Sequence, residues 1–474
     1  MAEEQFDVDV VVVGSGAAGL AAALSAREHG AARVLMAESE AIVGGSSRLS
    51  GGLMMGAGTR YQRAHGIDDD PDRLFHDYMQ LNRWNVDTVA VRRFIAEAGQ
   101  AVEWVGDLGV EFHDQLVYGG DEPVPRVHVP VGRGQGVVDV LSAACRQAGI
   151  HIALGRRIDR LVVRDGGVAG VAVGDDEITA PAVVIATGGF GNSPELLQRH
   201  FPAAARTGMA WYIGAEGSRG DALQLAEQVD AQLIGEDRGL RLLHTGFDSI
   251  YEAYLPGWIV LVNTDGRRFC DETAPYGLMD FLMRQQGDRA FAIFDEAALT
   301  AATAAGIARY HQTIPGSTKR QSPHWNSDIV AQMVAEGRMH SAATVDELAG
   351  LIGVPADRLA GTVRRYNDSV AAGEDLEFAK EQRMLEPIAT APFYAAEVRP
   401  ATVCFTAYGL RIDRDAQVVG SNGSPIAGLF AAGECTGGIV GAQYVGSGNS
   451  YANCLTVGRI AGLSAARAAG SERT

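Results

Sequence analysis

Val8-Asp-Val-Val-Val-Val13-Gly14-Ser-Gly-Ala-Ala-Gly19-Leu-Ala-Ala-Ala-Leu24-Ser-Ala-Arg27 decides the fold. An apolar, β-branched run broken only by Asp9 leads into a glycine turn, and a helix-forming stretch follows from Leu20. This is strand, tight turn, helix. Gly14, Gly16 and Gly19 give the spacing G-x-G-x-x-G. The first glycine permits the turn, the second lets a pyrophosphate approach the backbone, and the third lets helix and strand pack closely. Amides at the helix N-terminus then attract phosphate charge. Val34-Leu-Met-Ala37 reads as the next strand and ends at Glu38, where a carboxylate accepts hydrogen bonds from ribose hydroxyls.

Outward from this unit the same grammar recurs. Gly44-Gly45-Ser46-Ser-Arg-Leu-Ser50-Gly51-Gly52 is a second glycine cluster. A helix is expected over 137–148, then strands over 151–154, 157–163 and 168–173. Ala182-Val-Val-Ile-Ala186 is a further buried strand, closed by Thr187-Gly188-Gly189. From about residue 236 the character changes to helical runs with polar or aromatic loops such as 313–326. The grammar returns at Gly428-Leu-Phe-Ala-Ala-Gly433-Glu434 and Gly446-Ser-Gly448-Asn449, before a helix over 450–468. The expected architecture is α/β: a Rossmann-like dinucleotide domain from 1–235 and 400–474, with an inserted α+β catalytic (cap) domain over 236–399. Contacts from such widely separated segments suit an extended cofactor, FAD, better than NAD.

The totals narrow the function classes. The chain has 474 residues, 47% of them hydrophobic, enough for two buried cores. Its formal charge of -18 disfavours nucleic acid as a partner. The five cysteines are odd in number and form no C-x-x-C pair, as expected of free thiols in a reducing compartment. The first residues lack the pattern of a signal peptide, and no apolar run of about 18 residues predicts a membrane span. A cytoplasmic protein is expected. His244, His311, His324 and His340 show no ligand spacing, so no metal is expected.

Together these segments resemble the flavoprotein family of fumarate reductases, succinate dehydrogenase flavoprotein subunits and 3-ketosteroid dehydrogenases, over nearly the whole chain. The resemblance implies FAD contacts at Ser15, Ala18, Glu38, Ser46, Gly188 and Glu434, with Ile158 beside adenine. It also implies that the helix beginning near Asn449 points its positive end at the flavin N1/O2 edge. The candidate cofactor set is Gly14, Ser15, Gly16, Ala17, Ala18 and Gly19; Glu38 and Ser39; Gly44, Gly45, Ser46, Ser50, Gly51 and Gly52; Ile158; Ala186, Thr187 and Gly188; Gly433 and Glu434; and Asn449 and Ser450. No histidine lies between Glu38 and Gly52, where the succinate dehydrogenases attach their flavin, so FAD is expected to bind non-covalently.

Fumarate reductases hold two carboxylates with arginines and histidines. In the stretch that resembles their catalytic segment, Phe294-Asp-Glu-Ala-Ala-Leu299, a leucine stands in place of the arginine. The later arginine position falls on Tyr444 or Val445, and Val403-Cys-Phe-Thr406 lacks the substrate histidine. These places resemble instead a 3-ketosteroid dehydrogenase of the Δ1 type. Gly266 to Tyr276 resembles the loop that presents a tyrosine base, and Tyr444-x-Gly-x-Gly448 the loop that binds the C3 ketone. The resemblance implies that Tyr444 and the Gly448 amide stabilise the developing enolate, that Tyr276 takes the α-proton with Tyr118 assisting, and that flavin N5 receives the hydride. Arg126 and His128 are read as bracing a loop.

The departures matter. Val445 replaces the proline usual after the ketone-binding tyrosine, and Gly446 lies where the Δ4-(5α) relatives carry a serine, with Ser447 adjacent. The first expectation is FAD-dependent desaturation of a cyclic ketone, a 3-ketosteroid at Δ1 or Δ4, with electrons passing to a quinone or dye-like acceptor. The alternatives are a smaller ring ketone such as cyclohexanone or 4-oxocyclohexanecarboxylate, a fumarate- or enone-type reductase, and a non-catalytic flavin carrier.

Overall fold

The computed structural model describes residues 6–120, 122–206, 211–245, 255–305, 325–441 and 443–471. The described chain divides into two compact units. One combines the residues up to Arg206, Trp211–Leu240 and the residues from Val403; the other is Arg241–Thr402.

The first unit is built on a six-stranded sheet of β1 (Val10–Val13), β2 (Val34–Ala37), β3 (His151–Ala153), β4 (Ala182–Ile185), β5 (Gln417–Val419) and β6 (Pro425–Ala431), in the order β5-β6-β4-β1-β2-β3. All neighbours run parallel except β5, which pairs antiparallel with β6 at the edge. Every residue of β1 and β4 is buried, which is why these strands read as unbroken apolar runs rather than alternating ones. Helix α1 (Ala17–Glu28) follows β1, and α2 (Gly45–Leu49) is a short turn of helix inside the second glycine cluster. The last helix, Asn449–Ser471, packs on α1 through small residues. A Cβ on Gly458 would lie 2.4 Å from the Ala18 carbonyl oxygen, and one on Gly462 would lie 2.1 Å from that of Ala22. The two backbones therefore touch.

Local boundaries differ from expectation in two places. The strand expected from Arg157 begins at Arg160, in a three-stranded antiparallel sheet completed by Gly167–Val173 and Asp176–Thr179. The cause is tertiary. Gly155 N–H bonds the Glu40 carbonyl (3.0 Å) and Arg156 N–H bonds that of Glu38 (2.7 Å), holding residues 155–157 at the end of β2. The helix expected from residue 137 starts a turn earlier, at Arg133.

The second unit is organised around an antiparallel sheet of Val260–Asn263, Ala290–Asp295 and the strand entering from Phe393. Alternate residues serve opposite faces. Leu261, Ala292 and Phe294 face a core with Trp258, Met279, Met283 and Trp325. Val260, Phe291 and Ile293 face one with Leu348, Leu359 and Tyr366. Helices thus cover both faces. Residues 313–324 of the polar loop, with His311 before it, lie outside the described residues. Among the described residues no helix is long and apolar enough to cross a membrane.

Candidate functional site

The carboxyl ends of β1, β2 and β4 open onto a cleft. At its floor Gly14 has φ +106°, and a Cβ there would lie 2.3 Å from the Ala186 carbonyl oxygen. A Cβ on Gly19 would lie 1.9 Å from the Gly14 carbonyl oxygen, so α1 sits directly on the turn. Gly16 caps α1 without a side-chain bond. Of the candidate cofactor residues, Gly14 to Ala18, Glu38, Ser39, Gly45, Ser46, Ile158, Ala186, Thr187, Gly188 and Glu434 line this cleft.

Glu38 is buried at the end of β2. One carboxylate oxygen accepts the Ser15 N–H (2.8 Å) and hydroxyl (2.5 Å); the other accepts the Glu40 N–H (2.7 Å). The turn and the acid are therefore one bonded unit. Thr187 Oγ1 is buried on the cleft wall with no protein partner. A glycine turn at a helix N-terminus, a buried acid at the end of β2 and a hydroxyl without an acceptor or donor among the described residues fit a dinucleotide chemically. Glu434 is half-buried on the same cleft. It accepts the Thr406 N–H (2.9 Å) and hydroxyl (3.1 Å), and burial still pushes its carboxyl up to about 7.

The remaining candidates support the cleft rather than line it. Gly44 donates its N–H to Ser15 Oγ (3.1 Å). Ser50 donates to the Ser47 carbonyl (2.8 Å) and accepts the Gly52 N–H (3.1 Å), closing the cluster that also holds Gly51. Gly433 lies against Ala18, within 2.8 Å of its Cβ had it a side chain. Asn449 is buried on the Tyr78 hydroxyl (3.2 Å), and Ser450 donates to the Tyr444 hydroxyl (3.3 Å).

Sequence reasoning missed several cleft residues. Arg156, Arg157, Gly217, Ser218 and Asp221 line it, with Arg157 paired to Asp221. Tyr212 is new as well: its hydroxyl meets Ser46 Oγ at 3.0 Å, and Ser46 also meets Ser218 Oγ at 3.3 Å. Gly191 and Gly214 make room for the Tyr212 ring, since a Cβ on either would fall within 2.3 Å of it. The available signal was weak: a tyrosine flanked by isolated glycines.

In the same unit the Tyr444 ring tilts against Phe405, with centroids 5.1 Å apart. The Gly448 carbonyl accepts the Met55 N–H (3.1 Å), while its own N–H has no acceptor among the described residues. Tyr118 is 44% exposed, on a loop that the structure pairs directly with the Tyr444–Gly448 loop through Gly120 and Gly446. Arg126 is buried against Asp69 and Asp77. His128 bonds Thr59 Oγ1 (2.8 Å) and the Met54 carbonyl (3.1 Å), and burial pushes its ring down to about 4. Both hold loops in place.

In the second unit Tyr276 is the first residue of α3 (Tyr276–Gln285), half-buried behind Pro275 at the cap. The preceding loop is fixed by a buried ion network. Arg268 bridges Glu272 (2.9 Å) and Asp375 (2.8 Å), and Lys380 Nζ meets Glu272 at 2.6 Å. These cations hold Asp375 at about 2 and Glu272 below the usual carboxylate range, against the opposing effect of burial. Leu299 is buried in the apolar core of this unit.

A family model described as FAD binding domain matches residues 9–451. A probable fumarate reductase of Shewanella frigidimarina is 33% identical over 471 residues, covering 97% of this chain and 74% of that protein. A vinyl phenol reductase of Lactiplantibacillus plantarum is 28% identical over 469 residues, covering 92% of this chain and 91% of that protein. The crystal structure of a 3-ketosteroid-Δ4-(5α)-dehydrogenase of Rhodococcus jostii, in complex with 4-androstene-3,17-dione, superposes with a TM-score of 0.80 at 28% identity and 98% coverage of both chains.

Proposed function

This chain belongs to the FAD binding domain family and is an FAD-dependent oxidoreductase acting on carbon–carbon bonds; on that premise we propose that it desaturates a cyclic ketone beside its carbonyl, with 3-ketosteroids as the leading substrate class. The observation that carries this is the character of the Tyr444 loop. It offers neutral hydrogen-bond donors against the apolar ring of Phe405, where a dicarboxylate would need cations. The likeness to the ketosteroid dehydrogenase supports the same reading.

The Tyr444 hydroxyl and the Gly448 N–H donate to the ketone oxygen and stabilise charge as the α-proton leaves. Tyr276, on the proposed catalytic unit, receives that proton. A tyrosine's ordinary pKa is near 10, so this role calls for assistance toward the phenolate, which is proposed for Tyr118. FAD, when bound, supplies the two-electron acceptor for hydride from the β-carbon. The cleft residues Gly14, Ser15, Gly16, Glu38 and Glu434 hold it without a covalent link. An external quinone or dye-like acceptor takes the electrons onward.

The test is anaerobic bleaching of the flavin band by a 3-ketosteroid, and separately by 4-oxocyclohexanecarboxylate. Bleaching by the steroid with a new ring double bond supports the leading substrate, and the bond's position distinguishes Δ1 from Δ4. Bleaching by the small ketone alone keeps the chemistry and changes the substrate. Tyr444→Phe is expected to lower the reduction rate roughly 10²- to 10³-fold. A second reading, reduction of an activated double bond, is supported by the fumarate and vinyl phenol reductase relatives. It prevails if ketones leave the flavin oxidised and fumarate or an enone reoxidises the reduced protein.

A further inference from the structure

The loop carrying Tyr118 is folded over a buried carboxylate that the chemistry above does not use. Val117 and Val127 exchange backbone hydrogen bonds (3.1 and 3.0 Å), which bring the two flanks of this loop together. Inside it Glu122 is 4% exposed. Its Oε1 accepts the Gly119 N–H in a short bond, and its Oε2 accepts the Gly120 N–H at 2.7 Å. Burial pushes the Glu122 carboxyl above its ordinary value, and these amides, with Arg126 nearby, offset only part of that desolvation cost.

The other edge of the same two glycines holds the Tyr444–Gly448 loop. Ser447 N–H donates to the Gly119 carbonyl at 2.8 Å, and Gly120 pairs with Gly446 in an antiparallel bridge. There is no slack in this contact. Gly446 sits at φ +153°, and a Cβ on it would lie 2.4 Å from the Gly119 carbonyl carbon; one on Gly119 would lie 2.5 Å from the Ser447 carbonyl oxygen. Any movement of Gly119 and Gly120 is therefore transmitted to Gly446 and Ser447, and from there to Gly448.

We propose that Glu122 is a positioning residue. Its carboxylate clamps Gly119 and Gly120 and thereby fixes the Tyr444 hydroxyl and Gly448 N–H at the spacing a single acceptor oxygen requires. This rests on the reading of Tyr444 and Gly448 as carbonyl-binding donors. Glu122 touches neither substrate nor cofactor in this account. Its effect passes through two consecutive peptide groups, as expected where displacements of about 1 Å alter rate.

The experiment compares the FAD-loaded wild type with Glu122→Gln and Glu122→Ala. Gln keeps the volume but turns an N–H donor toward one of the two amides. Two readouts are taken at one pH: hydrogen exchange of peptides covering 444–449, and steady-state kinetics with whichever ketone bleaches the wild-type flavin. The expected result for Glu122→Gln is roughly tenfold faster exchange confined to 117–122 and 444–449, unchanged flavin content, and a kcat/KM about tenfold lower, mainly through kcat. Unchanged exchange at 444–449 in both variants overturns the clamp, as does faster exchange spread evenly over the chain. Unchanged kcat/KM overturns its positioning role. Exchange needs no substrate, so altered exchange in a protein that no ketone reduces supports the clamp and instead removes the carbonyl reading.

Discussion

Gly14 and Gly16 belong to one motif, yet the structure assigns them opposite failures. At Gly14 the backbone has φ +106°, and an added Cβ would stand 2.3 Å from the Ala186 carbonyl oxygen and 2.7 Å from its carbon. Ordinary contact begins near 3.4 Å, so Gly14→Ala must push β1 and β4 apart by about 1 Å or open the turn. Left-handed strain costs about 1–3 kcal/mol and overpacking about as much again. The sum, about 2–6 kcal/mol, is a large part of the 5–15 kcal/mol that holds a typical domain together. Gly16 lies at φ -64°, and its nearest neighbour to a new Cβ is Ser47 Oγ at 3.6 Å. Gly16→Ala should therefore leave the flavin-free protein within about 0.5 kcal/mol of wild type. Its methyl group instead projects at a position lining the cleft, where the pyrophosphate would approach the backbone. An overpacking penalty of about 1–3 kcal/mol there weakens FAD binding about 5- to 150-fold. Urea unfolding of the flavin-free proteins and fluorescence titration with FAD separate the two effects. The reasoning is refuted if Gly16→Ala binds FAD as tightly as wild type, or if Gly14→Ala unfolds at the same urea concentration.

Two further outcomes are expected. Burial lifts the Glu434 carboxyl from 4.5 to about 7, so the native protein holds an extra proton between these values. Stability from this group is then full below about 4.5 and lost as pH rises through 7; Glu434→Gln should flatten the difference in urea stability of the flavin-free protein between pH 5.5 and 8, and an unaltered difference counts against the account. Arg268→Ala removes the guanidinium from Asp375, which keeps the Glu377 and Lys380 N–H groups, and from Glu272, which keeps Lys380 Nζ and the Leu261 N–H, and should cost about 3–5 kcal/mol in urea unfolding of the whole chain; a loss under about 1 kcal/mol means that the network is not what fixes the Tyr276 loop.

What could be read in the sequence were the positions where the backbone itself is constrained. Gly14 and Gly19 are required by a turn and a close helix, Gly16 completes their spacing, Glu38 ends a strand, and Thr187 and Gly188 follow β4; each leaves a local trace, and together they imply the parallel sheet. Arg157 was read as strand because its local composition suits one. Its place on the cleft depends on bonds from Gly155 and Arg156 to the end of β2, more than a hundred residues earlier in the chain. Asp221 and Ser218 reach the cleft from a segment whose glycines, Gly214, Gly217 and Gly220, lack the G-x-G-x-x-G spacing. The pairing of Gly120 with Gly446 spans most of the chain, and no local pattern records it. Charged groups were legible as composition only: Arg268, Glu272, Asp375 and Lys380 look like surface residues until the fold buries them together.

The sheet that holds the cleft is assembled from both ends of the chain, with β6 beside β4 and the helix from Asn449 in backbone contact with α1. During synthesis, β1 and its glycine turn emerge long before Leu429. At about 5–20 residues per second the delay is roughly 20–80 s. For the last roughly 12–50 s of that interval, once β4 has emerged, its edge stands open, and the turn can receive no more than part of its ligand. Flavin capture is therefore a late event in the birth of this protein, and the exposed strand is a natural client for a chaperone until the C-terminal segment arrives.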